Sequence, residues 1–292
     1  MMNEAKCIVD CQNILGESPA WSVNEQKLYW LDIEKSELWR YDPETKETKV
    51  WKTPERAASF AFREKGGLLV AFVSCLAFWD PETGKTTKLK VMEPDLATTR
   101  MNDGRCDRQG RFIIGGMDQA GKYEKISNVY RVDRDLSIHK IISGVACANS
   151  ICFSPDGRVM YFADTPTGEI WAYDYNTNTG DISNKRVFAN FSDQPGIPDG
   201  SIVDSEGYLW NAQWNGHRVV RYRPDGTVDR LISIPVMNPT SLAFGGKGLN
   251  VIYVTTARYL MTSEQIEAEP LSGGLFAVTS DVRGFNEPKF CG

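Results

Sequence analysis

One pattern of short β-type runs and tight turns recurs along this 292-residue chain, and it leaves room for few architectures. It is complete in residues 197–226, IPDGSIVDSEGYLWNAQWNGHRVVRYRPDG. A Pro198-Asp199-Gly200 turn precedes the apolar run 201–203. A second turn, 204–207, leads into 208–212, and Asn215-Gly216 leads into 218–222 before Pro224-Asp225-Gly226. Runs rich in β-branched and aromatic residues, bounded by Gly, Pro, Asn and Asp, predict antiparallel strands joined by tight turns.

The same plan appears six times. Residues 17–44 predict strands at 27–31 and 37–41 with a turn at Asp42-Pro43, and residues 58–83 repeat it with Asp80-Pro81 in the same place. Further units begin near Arg100, near Ala148, at residue 197 and at Asn238. In five units the third run closes on an Asp: WRYD, AFWD, YRVD, WAYD, RYRPD. A period of about 40–50 residues is the blade length of a β-propeller. The chain therefore reads as all-β, a six-bladed β-propeller forming a single domain over residues 1–292, with few helices. No Pro- or Ser-rich linker interrupts it. The early run 6–10 is expected to complete the last blade, which would hide two sheet edges.

Composition narrows the partners. A net charge of −5 argues against nucleic acid or an anionic membrane, both of which need a concentrated basic face. No run approaches the ~20 apolar residues of a membrane span, and residues 1–12 lack the pattern of a signal peptide. Seven cysteines, an odd number, stand at 7, 11, 75, 106, 147, 152 and 291 with no zinc or CxxC spacing. They predict free, buried thiols in a reducing cytoplasm. The chain is expected to act as a monomer or weak homo-oligomer on a small molecule.

In a propeller the segments just before each first strand face one mouth. Here they hold Glu17, Arg100-Met101-Asn102-Asp103, Asn149, Asp199 and Asn238. Any one Asp or Asn at such a place can simply cap a turn through its own backbone. Recurrence at equivalent places in different blades points instead to a site. Two carboxylates (Glu17, Asp199) and two amides (Asn102, Asn149) are hard oxygen donors suited to Ca²⁺, Mg²⁺ or Mn²⁺. Arg100 suits a hydroxylated or anionic substrate. Asp193, Asp204 and Asp225 occupy outer turns and read as structural. Of the two histidines, His139 reads as solvent-facing, and His217 as either mouth-lining or surface. No GxSxG, HExxH, GxGxxG or phosphate-loop motif occurs. Gly115-Gly116 and Gly245-Gly246 read as turns or close backbone approaches.

The segments LGESPAW (15–21), RMNDGRCDRQGRF (100–112), NSICFSPDGRVMYFADT (149–165), residues 197–226, VTTAR (254–258) and GGLFAV (273–278) resemble the gluconolactonase/regucalcin (senescence marker protein) family, in order and over essentially the whole chain. The resemblance implies a six-bladed propeller with one divalent metal (Ca²⁺, Zn²⁺, Mn²⁺ or Mg²⁺) in its central channel, and hydrolysis of a sugar lactone to the aldonic acid. By position it makes Glu17, Asn149 and Asp199 the metal ligands and Asp199 the general base. Arg100 and Asn102 match the contacts to substrate hydroxyls, with Asn102 also approaching the metal through water. One departure concerns the substrate: where some members carry a contacting Glu, this chain reads Met117-Asp118-Gln119, so Gln119 or Asp118 takes that place. Trp214 and His217 are further pocket candidates. Two alternatives stand beside a neutral aldonolactone. One is a charged lactone, sulfonated or uronic, met by His217 or Arg258. The other is a calcium-binding regulatory propeller without catalysis.

Overall fold

A computed structural model describes residues 5–292. The chain is a six-bladed β-propeller, nearly all β, in which each blade is a four-stranded antiparallel sheet. The first strands of blades one to six are Gly16–Ser22, Ala57–Phe62, Thr99–Cys106, Ala148–Phe153, Ile197–Val203 and Pro239–Gly245. Blade six is completed by Lys6–Val9, which pairs antiparallel with Leu275–Thr279, as the early apolar run foretold. Among the described residues the one α-helix is short, Ser263–Ala268, and starts on a capping box between Thr262 and Gln265.

The blades group into two compact units. One holds blades one, five and six, and the other holds blades two, three and four with the tail Glu287–Gly292. Within each unit, successive first strands pack on one another. The cores follow from strand alternation. In the first unit Trp210, Val219, Leu242, Phe244 and Phe276 bury together, with Trp210 edge-on to Phe244. In the second, Ile113, Val129, Ile151, Phe153 and Phe162 do the same. The tail is tied to blade two of the second unit: Phe290 is buried, its N–H bonds Phe62 O, and Glu64 N–H bonds Phe290 O.

The recurring Asp after the third strand works as turn chemistry. Asp42 and Asp80 each accept the N–H two residues on, from Glu44 at 3.0 Å and Glu82 at 2.9 Å. Outer strands such as Thr48–Lys52 and Thr86–Val91 are lysine-rich, which discourages edge-to-edge pairing. Gly115 is a close approach rather than a turn: a Cβ there would lie 2.2 Å from the Ala148 Cβ, so glycine lets blade four seat against blade three.

All seven cysteines are free thiols, and five are buried. Burial pushes the Cys11 thiol up to about 12 and raises the Cys106 and Cys152 thiols as well. Since the thiolate is the nucleophile, these thiols are inert at neutral pH. Labelling with a disulfide reagent at pH 8 is expected to modify at most the half-buried Cys7 and Cys291 in the native protein. All seven should react in denaturant. Rapid native labelling of Cys11 or Cys152 would contradict this packing.

Candidate active site

Glu17, Arg100-Met101-Asn102-Asp103, Asn149 and Asp199 lie within the first strands and not in the loops before them, a correction to the sequence reading, whereas Asn238 stands just before its strand as read. The cause is a β-bulge. Pairing of the first to the second strand breaks between Glu17 and Ala20, Met101 and Gly104, Asn149 and Cys152, and Pro198 and Ser201. Pro198-Asp199-Gly200, which has the composition of a turn, is one of these bulges. A bulge releases residues from the ladder and re-aims their side chains, so strand-borne groups can serve a site. Ser18 and Ser150 sit at φ 50° and 58°, each at a cost of about 1–3 kcal/mol that the surrounding sheet must offset.

In the second unit the bulges of blades three and four are joined by a chain of side chains. The buried Arg100 donates from Nη1 to Asn102 Oδ1 at 2.8 Å and to Met101 O at 2.9 Å. Asn102 Nδ2 donates to Ala148 O at 2.9 Å and to Asn149 Oδ1 at 3.2 Å. Asn149 Nδ2 donates to Thr165 Oγ1 at 2.8 Å. The neighbouring Asp103 accepts the Ile151 N–H at 2.8 Å, a donor that the bulge has freed from its own ladder. Burial raises the pKa of Asp103. Arg100, Asn102 and Asn149 are thus brought together, and Asn102 turns its oxygen to Arg100.

Gln119 is exposed at the end of the second strand of blade three, with Nε2 3.4 Å from Thr99 O, beside Arg100. The competing Asp118 accepts the N–H groups of Ala120 at 3.0 Å and Glu124 at 3.1 Å, and these bonds hold its carboxyl below the usual range. Asp118 therefore shapes a loop, which leaves Gln119 as the group that could meet a substrate.

In the first unit Glu17 and Asp199 lie on first strands that both pack on the first strand of blade six. Asp199 is 6% exposed. Its backbone is fixed by Asn211, whose Nδ2 donates to Asp199 O at 3.1 Å and Gly200 O at 3.3 Å. Glu17 Oε2 accepts the Ser18 N–H at 2.9 Å, and the Thr240 hydroxyl bonds Gly16 O. Asn238, grouped with the mouth residues from sequence, instead ties loops together, accepting from Asn215 N–H at 3.2 Å. Thr165 and Asn211 were missed from sequence. Their signals were a Thr directly after a strand-ending Asp and an Asn inside an apolar run.

The charged candidates for a charged substrate are engaged elsewhere. Exposed His217 donates from Nε2 to Glu269 Oε1 at 2.7 Å. Arg258 spends its guanidinium on Ser272 O, Gln12 Oε1 and Pro270 O at 2.7, 3.0 and 2.8 Å. Trp214 is half-buried at the end of its strand, and His139 is exposed as expected.

Among the described residues no three His, Cys, Asp or Glu side chains form a metal cluster. The candidate donors are of a different composition, two carboxylates and an amide. As chemistry they fit a hard divalent cation. The fit is most specific at Asn149: its nitrogen is held by Thr165, which leaves its oxygen as the atom able to ligate.

The SMP-30/Gluconolactonase/LRE-like region matches residues 15–258, and the chain belongs to that family. It is 40% identical to an L-arabinolactonase of Azospirillum brasilense, over 99% of this chain and 96% of that protein. It is 37% identical to a 6-deoxy-6-sulfogluconolactonase of Pseudomonas putida, over the full length of both. The solved structure of a calcium-binding protein, regucalcin, from Agrobacterium tumefaciens superimposes with a TM-score of 0.94 at 29% identity, covering 99% of this chain and 97% of that one. No described helix is long and apolar enough to cross a membrane.

Proposed function

We propose that this protein is a metal-dependent sugar lactonase that opens an aldonolactone to its aldonic acid, with Glu17, Asn149 and Asp199 as the metal ligands. A divalent cation held there would supply Lewis-acid polarisation of the lactone carbonyl and an acidified water. Arg100 and Gln119 orient the sugar hydroxyls, a proximity contribution. Asn102 acts through Asn149 more than on the substrate, since Arg100 and Asn149 occupy both ends of its amide. Asp199 takes the proton of the attacking water. The seven free thiols support a cytoplasmic setting.

The observation that carries this reading is the buried Arg100 beside Asn102 and Asn149. A guanidinium so close to a ligand weakens cation binding by Coulomb repulsion, so a pure calcium binder gains nothing from it. A hydrolase gains a donor for an oxygen-rich substrate. The engagement of His217 and Arg258 favours a neutral lactone over a sulfonated or uronic one. A hydrogen bond to a charged group contributes about 1.5–3 kcal/mol, so a charged substituent forgoes a gain of about tenfold or more that an uncommitted cation would give it.

Acid release from a panel of neutral, sulfonated and uronic lactones tests this, using metal-stripped protein with Ca²⁺, Mg²⁺, Mn²⁺ or Zn²⁺ added back. The expected result is metal-restored hydrolysis with higher kcat/KM on a neutral lactone. Tight metal binding with no hydrolysis of any lactone would favour the calcium-binding reading instead.

A further inference from the structure

We propose that Thr165 is a positioning residue for Asn149, holding the amide in the one rotamer that presents oxygen to a cation; this rests on the reading above that Asn149 is a ligand. The oxygen and nitrogen of a carboxamide are nearly the same size, but only the oxygen ligates a metal. Something must therefore distinguish the two atoms and fix the rotamer.

The distinction begins two residues away. Arg100 can only donate, so Asn102 turns its oxygen to it at 2.8 Å. Ala148 O can only accept, so it takes the Asn102 nitrogen at 2.9 Å. That nitrogen then faces Asn149 Oδ1 at 3.2 Å, which leaves Asn149 Nδ2 pointing the other way. Thr165 Oγ1 receives it at 2.8 Å. Without that acceptor a buried amide N–H loses its strong partner, and the cost of leaving it unpaired drives the side chain out of this rotamer.

Thr165 is itself rigidly placed. It opens a single 3₁₀ turn, Thr165–Thr167, directly after the second strand of blade four, Val159–Asp164. Its N–H bonds Cys147 O at 2.9 Å, and Asp164 accepts the N–H groups of Ala146 and Cys147 at 3.0 and 2.8 Å. The hydroxyl is thereby tied to the segment that leads into Asn149. Asp103 holds the other side of the same bulge through Ile151.

Titration calorimetry with Mn²⁺ and Ca²⁺ on metal-stripped protein tests the proposal without relying on activity. Loss of an outer hydrogen-bond partner typically weakens metal binding by about 10–100-fold. Thr165→Val, which keeps the shape and removes the acceptor, is expected to show that loss. Thr165→Ser, which restores the oxygen, should bind within a few-fold of wild type, whereas a purely structural role would leave affinity unmoved in both. Thr165→Ala carries the same comparison if the Val variant does not fold. Wild-type affinity in Thr165→Val or Thr165→Ala, with Asn149→Ala impaired, would overturn the positioning role and leave the ligand assignment standing. Wild-type affinity in Asn149→Ala would overturn both.

Discussion

Asp199→Ala is expected to lose divalent-metal binding and lactone hydrolysis together, with kcat down by about 10²–10⁴-fold, the usual contribution of a positioned acid or base. The fold should survive. The Asp199 backbone is set by Asn211 through the carbonyls of residues 199 and 200, and alanine keeps both contacts. Asp199→Asn separates the two roles assigned to this carboxylate. An amide oxygen still ligates but cannot take a proton, so metal affinity should fall less than activity. The separation matters because a carboxylate bound to a cation is a weak base. Calorimetry and acid release on the same samples measure both quantities. Full activity with full metal binding in Asp199→Asn would remove Asp199 from the mechanism.

Arg221→Ala is expected to be the most damaging single change away from the candidate site, at about 3–5 kcal/mol. Asp204 is wholly buried, and Arg221 bonds its Oδ2 from Nε at 2.9 Å and Nη2 at 2.7 Å. Nη1 reaches Asp229 Oδ2 at 2.9 Å, and the guanidinium stacks 3.7 Å over the Tyr208 ring. Alanine leaves the Asp204 charge with the Trp210 indole and two backbone N–H groups but no cation. Arg230→Ala is the control: it pairs with Asp229 and with the largely exposed Asp281, and surface pairs contribute at most about 1 kcal/mol. Urea unfolding of both variants at pH 7 gives the comparison. Equal losses would show that the backbone donors alone satisfy Asp204. Burial pushes the Asp229 carboxyl up, but the bonds from Arg221 and Arg230 outweigh it and hold the pKa low. A depressed folded pKa means its share of stability is present at neutral pH and is lost as pH falls through that value.

Much of the scaffold was legible because its rules are local. The strand Glu37–Tyr41 falls where alternation and the flanking turns put it, and Lys27–Asp32 runs one residue past the expected end. The turns at Asp42 and Asp80 use the side chain of the residue that announces them. The strand Ile197–Val203 was half hidden, because Pro-Asp-Gly has turn chemistry and here forms a bulge inside a strand. The short partner sequences could not show this, since a bulge is defined by pairing with Leu209–Trp214 across the hairpin.

The site divides in the same way. Sequence by itself determined the number of blades, the all-β class and the oxygen-donor residues on offer, because each follows from residues a few positions apart. Tertiary structure decided how those residues are used. Asn102 meets Asn149 across 47 positions, Ile151 finds Asp103 across 48, and His217 finds Glu269 across 52. Such pairings fix which atoms of each amide are already bonded and which charged groups are already spent. They depend on the packing of one blade against the next, and no local pattern of apolar and polar residues encodes the direction of a hydrogen bond between blades.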